Sequence, residues 1–202
     1  NADLNPGSGL VVEEGDTIQN LGTVTLNGEV GDWASLIAGC NLNVDTLVLK
    51  INVQGNKWHF FGFPFQIKIA DIVADGKFVV YEYDAQIRAE RDTTGWKKIP
   101  SDQEYLYPGH GYIFNFSVEG SFSIKVNKPD FCNLINIINL AIHPSSNPTN
   151  QNWNYLANPF LAYYDILDLN YTGPITFWDV LEGTYRTMRA GDDEYYLSPY
   201  EA

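Results

Sequence analysis

The sequence is poor in basic residues, and this limits what the chain can bind. Lys and Arg together number 12 against 25 Asp and Glu, which gives a formal net charge of −13. Nucleic acids and anionic membranes are bound by concentrated Lys and Arg, which displace counterions from phosphates. The charge therefore argues against both partners. It indicates a soluble surface, with Ca²⁺ capture as a weaker alternative.

Long apolar runs are also lacking. No run approaches the roughly 20 residues of a membrane-spanning helix, and the first residues do not have the basic and then apolar pattern of a signal peptide. We therefore expect no membrane insertion in this segment and a chain that begins after any export signal. The hydrophobic fraction of 45% and the aromatic fraction of 14% nevertheless predict an ordered globular protein.

Cysteine is scarce, with only Cys40 and Cys132 present. Two cysteines are too few for a disulfide-stapled scaffold and too sparse for a zinc site. Each is followed by Asn-Leu and lies at a similar distance before a tryptophan, Trp58 or Trp153, so the two could occupy equivalent positions. A bridge requires Cα atoms within about 7 Å. The sequence leaves two alternatives open, a disulfide and two buried free thiols.

Recognisable catalytic motifs are absent as well. His59, His110 and His143 are isolated and lack metal-binding spacing. No G-x-S-x-G elbow is present, and neither cysteine has a nucleophile context. We therefore expect no enzyme activity and no cofactor. A glycosidase is the lowest-ranked hypothesis, and it would need two carboxyl groups about 5–10 Å apart.

What the chain does contain is an internal repeat. Residues 58–65, Trp-His-Phe-Phe-Gly-Phe-Pro-Phe, return 95 residues later at 153–160 as Trp-Asn-Tyr-Leu-Ala-Asn-Pro-Phe. The same offset relates Tyr-Asp at 83–84 to Trp-Asp at 178–179, and an offset of 91 relates 105–111 to 196–202. The repeated positions to which we assign a structural role are Trp58, Pro64, Phe65, Asp84, Pro108, Gly111, Trp153, Pro159, Phe160, Asp179 and Pro199.

Alternating apolar residues and turn residues predict strands throughout both copies. The clearest strands are 44–53, 78–83, 96–99, 112–116 and 120–126, and we expect 131–142 to be mostly strand. Asn27-Gly28 has the composition of a hairpin turn. These signals predict an all-β sandwich, Ig-like or jelly-roll-like, with two repeats of about 95 residues.

The repeat also divides the chain. We predict a linker and first strand over 1–19, a first β repeat over 20–117 and a second over 118–202. The first copy closes with the apolar run 112–116, whose counterpart would lie beyond Ala202. We therefore expect the second repeat to lack its last strand here, which leaves an open sheet edge suited to a strand-edge dimer.

The order of these motifs resembles a known group of proteins. Lys57-Trp58-His59-Phe60 with Pro64-Phe65, then Tyr83-Asp84, then Trp96-Lys97, then Leu106 with Pro108-Gly109-His110-Gly111-Tyr112 is similar to β-rich modules of secreted and surface proteins of Bacteroidetes. The resemblance covers about residues 20–202. His110 stands where such modules often carry lysine, and Ala202 where a glycine is expected. The resemblance implies an exported segment of a longer, adhesin-like cell-surface protein that carries leucine-rich repeats or a sorting domain.

Aromatic residues are the candidate ligand-binding groups. Exposed Trp and Tyr offer flat apolar platforms to sugars, and we select Trp33, Trp96, Tyr163 and Tyr195 for this role. Trp58 and Trp153 recur in both copies, as core residues of a repeated fold would, so we expect both to be buried.

Acidic residues give weaker candidates. Asp84 and Asp179 follow an aromatic residue at a predicted strand end, where aspartate usually accepts backbone N–H bonds. Asp192-Asp193-Glu194 could present carboxylates to Ca²⁺ but lacks the alternating spacing of a calcium loop.

The leading functional hypothesis is a non-catalytic, adhesin-like interaction module at the cell surface that binds a host or neighbouring surface protein or a glycan. The alternative is a carbohydrate-binding β-sandwich, which predicts a concave face with at least one exposed tryptophan.

Overall fold

A computed structural model gives the structure of the chain. It describes residues 1–13, 16, 18–29, 31–91, 94–134, 137–179, 184–189, 196–200 and 202. Over these residues the chain is an all-β protein with one short α-helix, α1 (Ala85–Glu90). Its strands are β1 (Ala2–Leu4), β2 (Gly9–Val11), β3 (Ile18–Glu29), β4 (Asp32–Trp33), β5 (Ser35–Ile37), β6 (Leu42–Val53), β7 (Trp58–Phe61), β8 (Ile67–Lys68), β9 (Val73–Ala74), β10 (Phe78–Tyr83), β11 (Trp96–Lys98), β12 (Tyr105–Leu106), β13 (Tyr112–Phe116), β14 (Gly120–Asn127), β15 (Tyr164–Asp165), β16 (Ile175–Asp179), β17 (Thr184–Met188) and β18 (Tyr196–Leu197).

The larger sheet mixes parallel and antiparallel strands. Its order is β1-β3-β6-β14-β9, with β4 also pairing with β3. The pairs β1–β3 and β3–β6 are parallel, whereas β14 is antiparallel to both β6 and β9. Period-two alternation orients β6, because Leu49 and Ile51 are buried while Lys50 between them is exposed.

The second sheet has four antiparallel strands in the order β11-β10-β13-β7. Phe114 on β13 is fully buried, and Phe61 on β7 is 4% exposed. Phe122 of the larger sheet lies 5.3 Å from Phe61 and 6.1 Å from Phe114 between ring centroids. The main core is therefore formed where the inner faces of the two sheets meet, and its aromatic rings supply much of the buried apolar area.

A smaller cluster forms in the second half of the chain. Ile166, Phe177 and Met188 are buried together there. The hairpin β16–β17 and the short pair β15–β18 support this cluster. A 3-10 turn follows β15 at Ile166–Asp168, just as another follows β8 at Ile69–Asp71.

Cys40 and Cys132 form a disulfide with a Cα–Cα distance of 4.6 Å. The bridge decides between the two alternatives that the sequence left open. It joins the turn before β6 to a 3-10 turn after β14 (Phe131–Asn133), and both cysteines are exposed. The two halves of the chain are thus covalently tied across 92 residues.

Several strand predictions are confirmed. The predicted strands 78–83 and 112–116 correspond to β10 and β13, and 44–53 and 120–126 lie within β6 and β14. β7 ends at Phe61, before Pro64, which cannot donate to a strand ladder. β14, which follows the predicted boundary at 118, pairs along its whole length with β6 and on its other side with β9, so it is an inner strand of the larger sheet.

Residues 2–4 lie in the segment predicted as a linker and first strand, and they form β1 because they pair in parallel with Val24 to Leu26 of β3. The strand prediction for residues 131–142 is wrong. Residues 131–142 form a 3-10 turn and irregular chain where described, since their apolar spacing fits more than one structure. The prediction for Asp84 is confirmed, because its side chain caps the N-terminus of α1 by accepting a 2.9 Å hydrogen bond from Ile87 N.

The Asn27-Gly28 turn prediction is also wrong, because β3 continues through both residues. A Cβ atom at residue 28 would overlap the indole of Trp33, so Gly28 leaves room for that ring. The chain turns instead at Gly31, which has a φ of 84°.

Within the described ranges, no helix has the length and apolar character needed to cross a membrane.

Candidate functional site

A cleft of about 830 Å³ opens on the outer face of the four-stranded sheet. Strand alternation creates this face, because His59 and Phe61 of β7 point to the core and their neighbours Trp58 and Phe60 point away from it. The outer face continues across the sheet, because paired residues on neighbouring strands point to the same side. Phe60 pairs with Ile113, and Ile113 pairs with Tyr81.

The floor of the cleft is aromatic. Trp58 and Tyr81 meet edge to face, with ring centroids 5.6 Å apart. Trp96 on β11 packs edge to face against Tyr83, 5.2 Å away, and against Tyr155, 4.8 Å away. Trp58 is 51% exposed, so about half of its side chain remains open to solvent.

A wall of the cleft beside this floor comes from the hairpin β16–β17. Trp178 stacks on Phe60 with a centroid distance of 5.8 Å, and it also contacts Tyr185, 5.0 Å away. Tyr185 is 60% exposed. The cleft therefore exists only because the hairpin of the second half of the chain lies against the sheet of the first half.

Few polar groups accompany these rings. Gln54, Lys57 and Thr94 line the cleft beside them. The His59 ring is turned inward, where its Nε2 contacts the carbonyl oxygen of Gln54 at 2.9 Å. Burial lowers the pKa of His59, and this hydrogen bond offsets part of that effect. The ring is thereby held neutral in the core, as a structural group.

A flat apolar surface with a few polar groups at its rim is suited to a ligand that has apolar faces and hydroxyl edges. Pyranose sugars have this character.

The predicted binding residues do not all meet at the cleft. Trp96 lines it and is half-buried. Trp33 is only 7% exposed and packs between Phe61 and Tyr200, so its selection as an exposed residue is wrong. Tyr163 is 44% exposed but lies outside the cleft lining, and Tyr195 lies outside the described residues.

The expectation that Trp58 and Trp153 are buried is also wrong. They are 51% and 42% exposed. The core positions of β7 are taken by His59 and Phe61, so alternation leaves Trp58 on the outer face. Four further aromatic residues line the cleft but were not predicted as binding residues: Phe60, Tyr81, Trp178 and Tyr185. The sequence signal for these residues is that they alternate with core residues along their strands. This signal identifies the outer face only once it is known which face of each strand points to the core.

Several of the other repeated positions are buried, contact aromatic rings or lie in turns. Pro64 is buried, Phe65 contacts Phe131 with centroids 6.1 Å apart, and Phe160 stacks on Tyr164 at 5.2 Å. Pro108 and Gly109 turn the chain into β13, and Gly111 N donates to the carbonyl oxygen of Tyr155.

The remaining members of the repeat lie near the second half's turns. Pro159 is half-buried and Pro199 is buried in the turn after β18. Asp179 ends β16, and its side chain is outside the described part of the chain.

The acidic Asp192-Asp193-Glu194 candidate for Ca²⁺ falls outside the described residues. Among the residues that are described, no group of three or more His, Cys, Asp or Glu side chains is placed to hold a metal ion.

Comparison with known proteins returned no matching family model, no matching curated protein and no matching solved structure.

Proposed function

We propose that this chain is a non-catalytic, exported surface module of adhesin-like type, and that its aromatic cleft binds carbohydrate. The observation that carries the proposal is the cleft itself, about 830 Å³ in volume, with the half-exposed indole of Trp58 beside Tyr81 and Trp96. A concave face with an exposed tryptophan is the feature that the carbohydrate hypothesis requires.

The packing of the platform supports this role. Trp58 is held edge to face by Tyr81, and Trp96 is wedged between Tyr83 and Tyr155. Rings fixed in this way lose little conformational freedom when a ligand stacks on them, so more of the stacking energy is retained as affinity.

The disulfide supports an exported location. Exposed disulfides persist in oxidising compartments and are rare in the reducing cytosol. The Cys40–Cys132 bridge is exposed at both ends. This fits the secreted or surface setting implied by the resemblance to Bacteroidetes modules.

We further propose that the fold is a β-sandwich built from a duplicated unit. The two sheets share an aromatic core, and the order strand, 3-10 turn, paired strands and closing short strand occurs in both halves. Gly109 and Tyr200, related by the offset of 91, both have a positive φ, at 78° and 63°. A strand-edge dimer stays a prediction of this architecture.

A glycan array with the purified chain tests the binding proposal. Saturable binding is expected, and Trp58→Ala should weaken it at least about tenfold, which corresponds to about 1.4 kcal/mol. Trp96→Ala should weaken it similarly, because both rings line the cleft.

Trp153→Ala is the matched control, since Trp153 is 42% exposed but is absent from the cleft lining. Equal binding by the wild type and Trp153→Ala is expected. An array without binding to any sugar, or losses of equal size for Trp58→Ala and Trp153→Ala, would overturn the assignment of the cleft.

A further inference from the structure

We propose that the cleft selects acidic carbohydrates, sugars that carry a carboxylate or sulfate group, and that Lys57 is the cation that contacts the acidic group. This inference rests on the proposed function. It adds the chemical class of the ligand and the residue that distinguishes it from a neutral sugar.

The charge of the cleft differs from that of the whole chain. Asp and Glu outnumber Lys and Arg by 25 to 12. Yet among the described residues that line the cleft, Lys57 is the cation and none is Asp or Glu.

Lys57 is positioned beside the aromatic platform. It directly precedes Trp58, and its carbonyl oxygen accepts a 3.1 Å hydrogen bond from Nδ2 of Asn115 on the neighbouring strand β13. This bond fixes the backbone from which the side chain extends. Lys57 and Trp58 both line the cleft, and a lysine ammonium group supplies up to three hydrogen-bond donors to an anion.

Because the rest of the chain is negatively charged, this local cation determines whether an anionic sugar is retained. A net charge of −13 opposes the approach of an anion to the molecule as a whole. A carboxylate or sulfate is retained only where a nearby cation offsets that repulsion. Neutral sugars gain nothing from Lys57 beyond an ordinary hydrogen bond, so the cation separates the two classes.

The test compares ligands that differ only in charge. Isothermal titration would measure the affinity for tetragalacturonate against its fully methyl-esterified form, and for 3′-sialyllactose against lactose, at low and at physiological salt. We expect the acidic member of at least one pair to bind more tightly, with the preference falling as salt rises.

Lys57→Gln is the informative variant, and Lys50→Gln is its control, since Lys50 is exposed on the other sheet. Lys57→Gln should weaken binding of the acidic ligand about fivefold, the upper end for an ion pair in contact with water. Binding of the neutral partner should weaken less than about twofold, because glutamine keeps a hydrogen-bond donor at this position, and Lys50→Gln should change neither.

The outcomes separate this inference from the proposed function. Equal binding of both members of each pair, abolished by Trp58→Ala, would overturn the preference for acidic sugars and leave a carbohydrate module. An acidic preference that Lys57→Gln does not reduce would overturn the assignment to Lys57. Binding to none of these ligands and to no sugar on the array would overturn the proposed function and this inference with it.

Discussion

Residues 58–61 and 153–156 carry the same sequence pattern but have different structures. The first stretch is strand β7, hydrogen-bonded along its length to β13. The second is irregular and makes one isolated bridge, from Leu156 to His110. The comparison teaches that an apolar pattern gives a strand only where a neighbouring strand supplies the hydrogen-bond partners.

Equivalent positions differ in burial for the same reason. Phe61 is 4% exposed between the two sheets, whereas Leu156, which follows it by the repeat offset of 95, is 37% exposed. Two residues further on, Phe63 and Asn158 are both 1% exposed, so the second copy buries an amide where the first buries a ring.

The largest expected effect comes from truncating Phe61. Phe61→Ala should lower the free energy of unfolding by about 3–5 kcal/mol, because it removes a ring that contacts Trp33, Phe114 and Phe122. Leu156→Ala should cost less than about 1 kcal/mol, since its side chain already contacts water. Equilibrium urea unfolding measures both. Equal costs would contradict the difference in packing between the two copies.

The next effect concerns the bridge that ties the two halves together. Replacing both Cys40 and Cys132 with serine should lower the free energy of unfolding by about 2–4 kcal/mol, because the unfolded chain is no longer constrained across a 92-residue separation. Thermal unfolding with and without dithiothreitol checks this. Reductant should destabilise the wild type and leave the double variant unchanged, and a wild type unaffected by full reduction would speak against a structural role for the bridge.

A smaller effect is expected at Asn158. Its Nδ2 donates to the carbonyl oxygens of Ala162 and Ser198 at 2.8 and 3.0 Å, and its Oδ1 accepts from Phe160 N. Asn158→Leu should therefore cost about 1–3 kcal/mol, because buried carbonyl groups lose their donor.

The exposed Asn52 on β6 offers the matched control for this change. Asn52→Leu should alter the free energy of unfolding by no more than about 0.5 kcal/mol. If Asn158→Leu proved equally neutral, the second copy would not depend on the buried amide network.

The smallest effect is a pH dependence centred on His59, the position equivalent to the half-buried Asn154. Burial lowers the pKa of His59 below its ordinary value of 6.5, so the unfolded chain binds the proton more readily than the folded chain. The stabilisation by neutral His59 is complete above about pH 6.5. It is lost as the pH falls from there through the lowered pKa of the folded state.

Melting temperatures measured between pH 7.5 and 5 test this dependence. His59→Gln should show a shallower decline than the wild type, because glutamine keeps a donor for the Gln54 carbonyl but does not titrate in this range. His110→Gln, at an exposed site, should follow the wild-type profile. Identical profiles for all three proteins would remove His59 as the origin of the dependence.

Part of this structure could be predicted from local sequence. Runs rich in β-branched and aromatic residues between turn residues identified β6, β10, β13 and β14. Asp84 was expected to accept a backbone N–H at the end of a strand, and it does so. These features depend on neighbours a few residues away, so the sequence contains the necessary information.

The face on which each side chain lies could not be predicted in the same way. Trp58 was expected in the core and is exposed, while Trp33 was expected at the surface and is buried. A four-residue strand such as β7 has two alternating faces, Trp58 with Phe60 and His59 with Phe61, and both contain aromatic residues. Composition does not choose between them, so only the pairing with β13 identifies the inner face.

The sequence by itself determined that the chain is built of strands and where β6, β10, β13 and β14 lie, because strand propensity and alternation are local. Tertiary structure alone decided that Cys40 meets Cys132, that β14 joins β6, and that the hairpin carrying Trp178 closes over Phe60. These contacts join residues about 70 to 120 positions apart, and they depend on how the sheets pack as a whole.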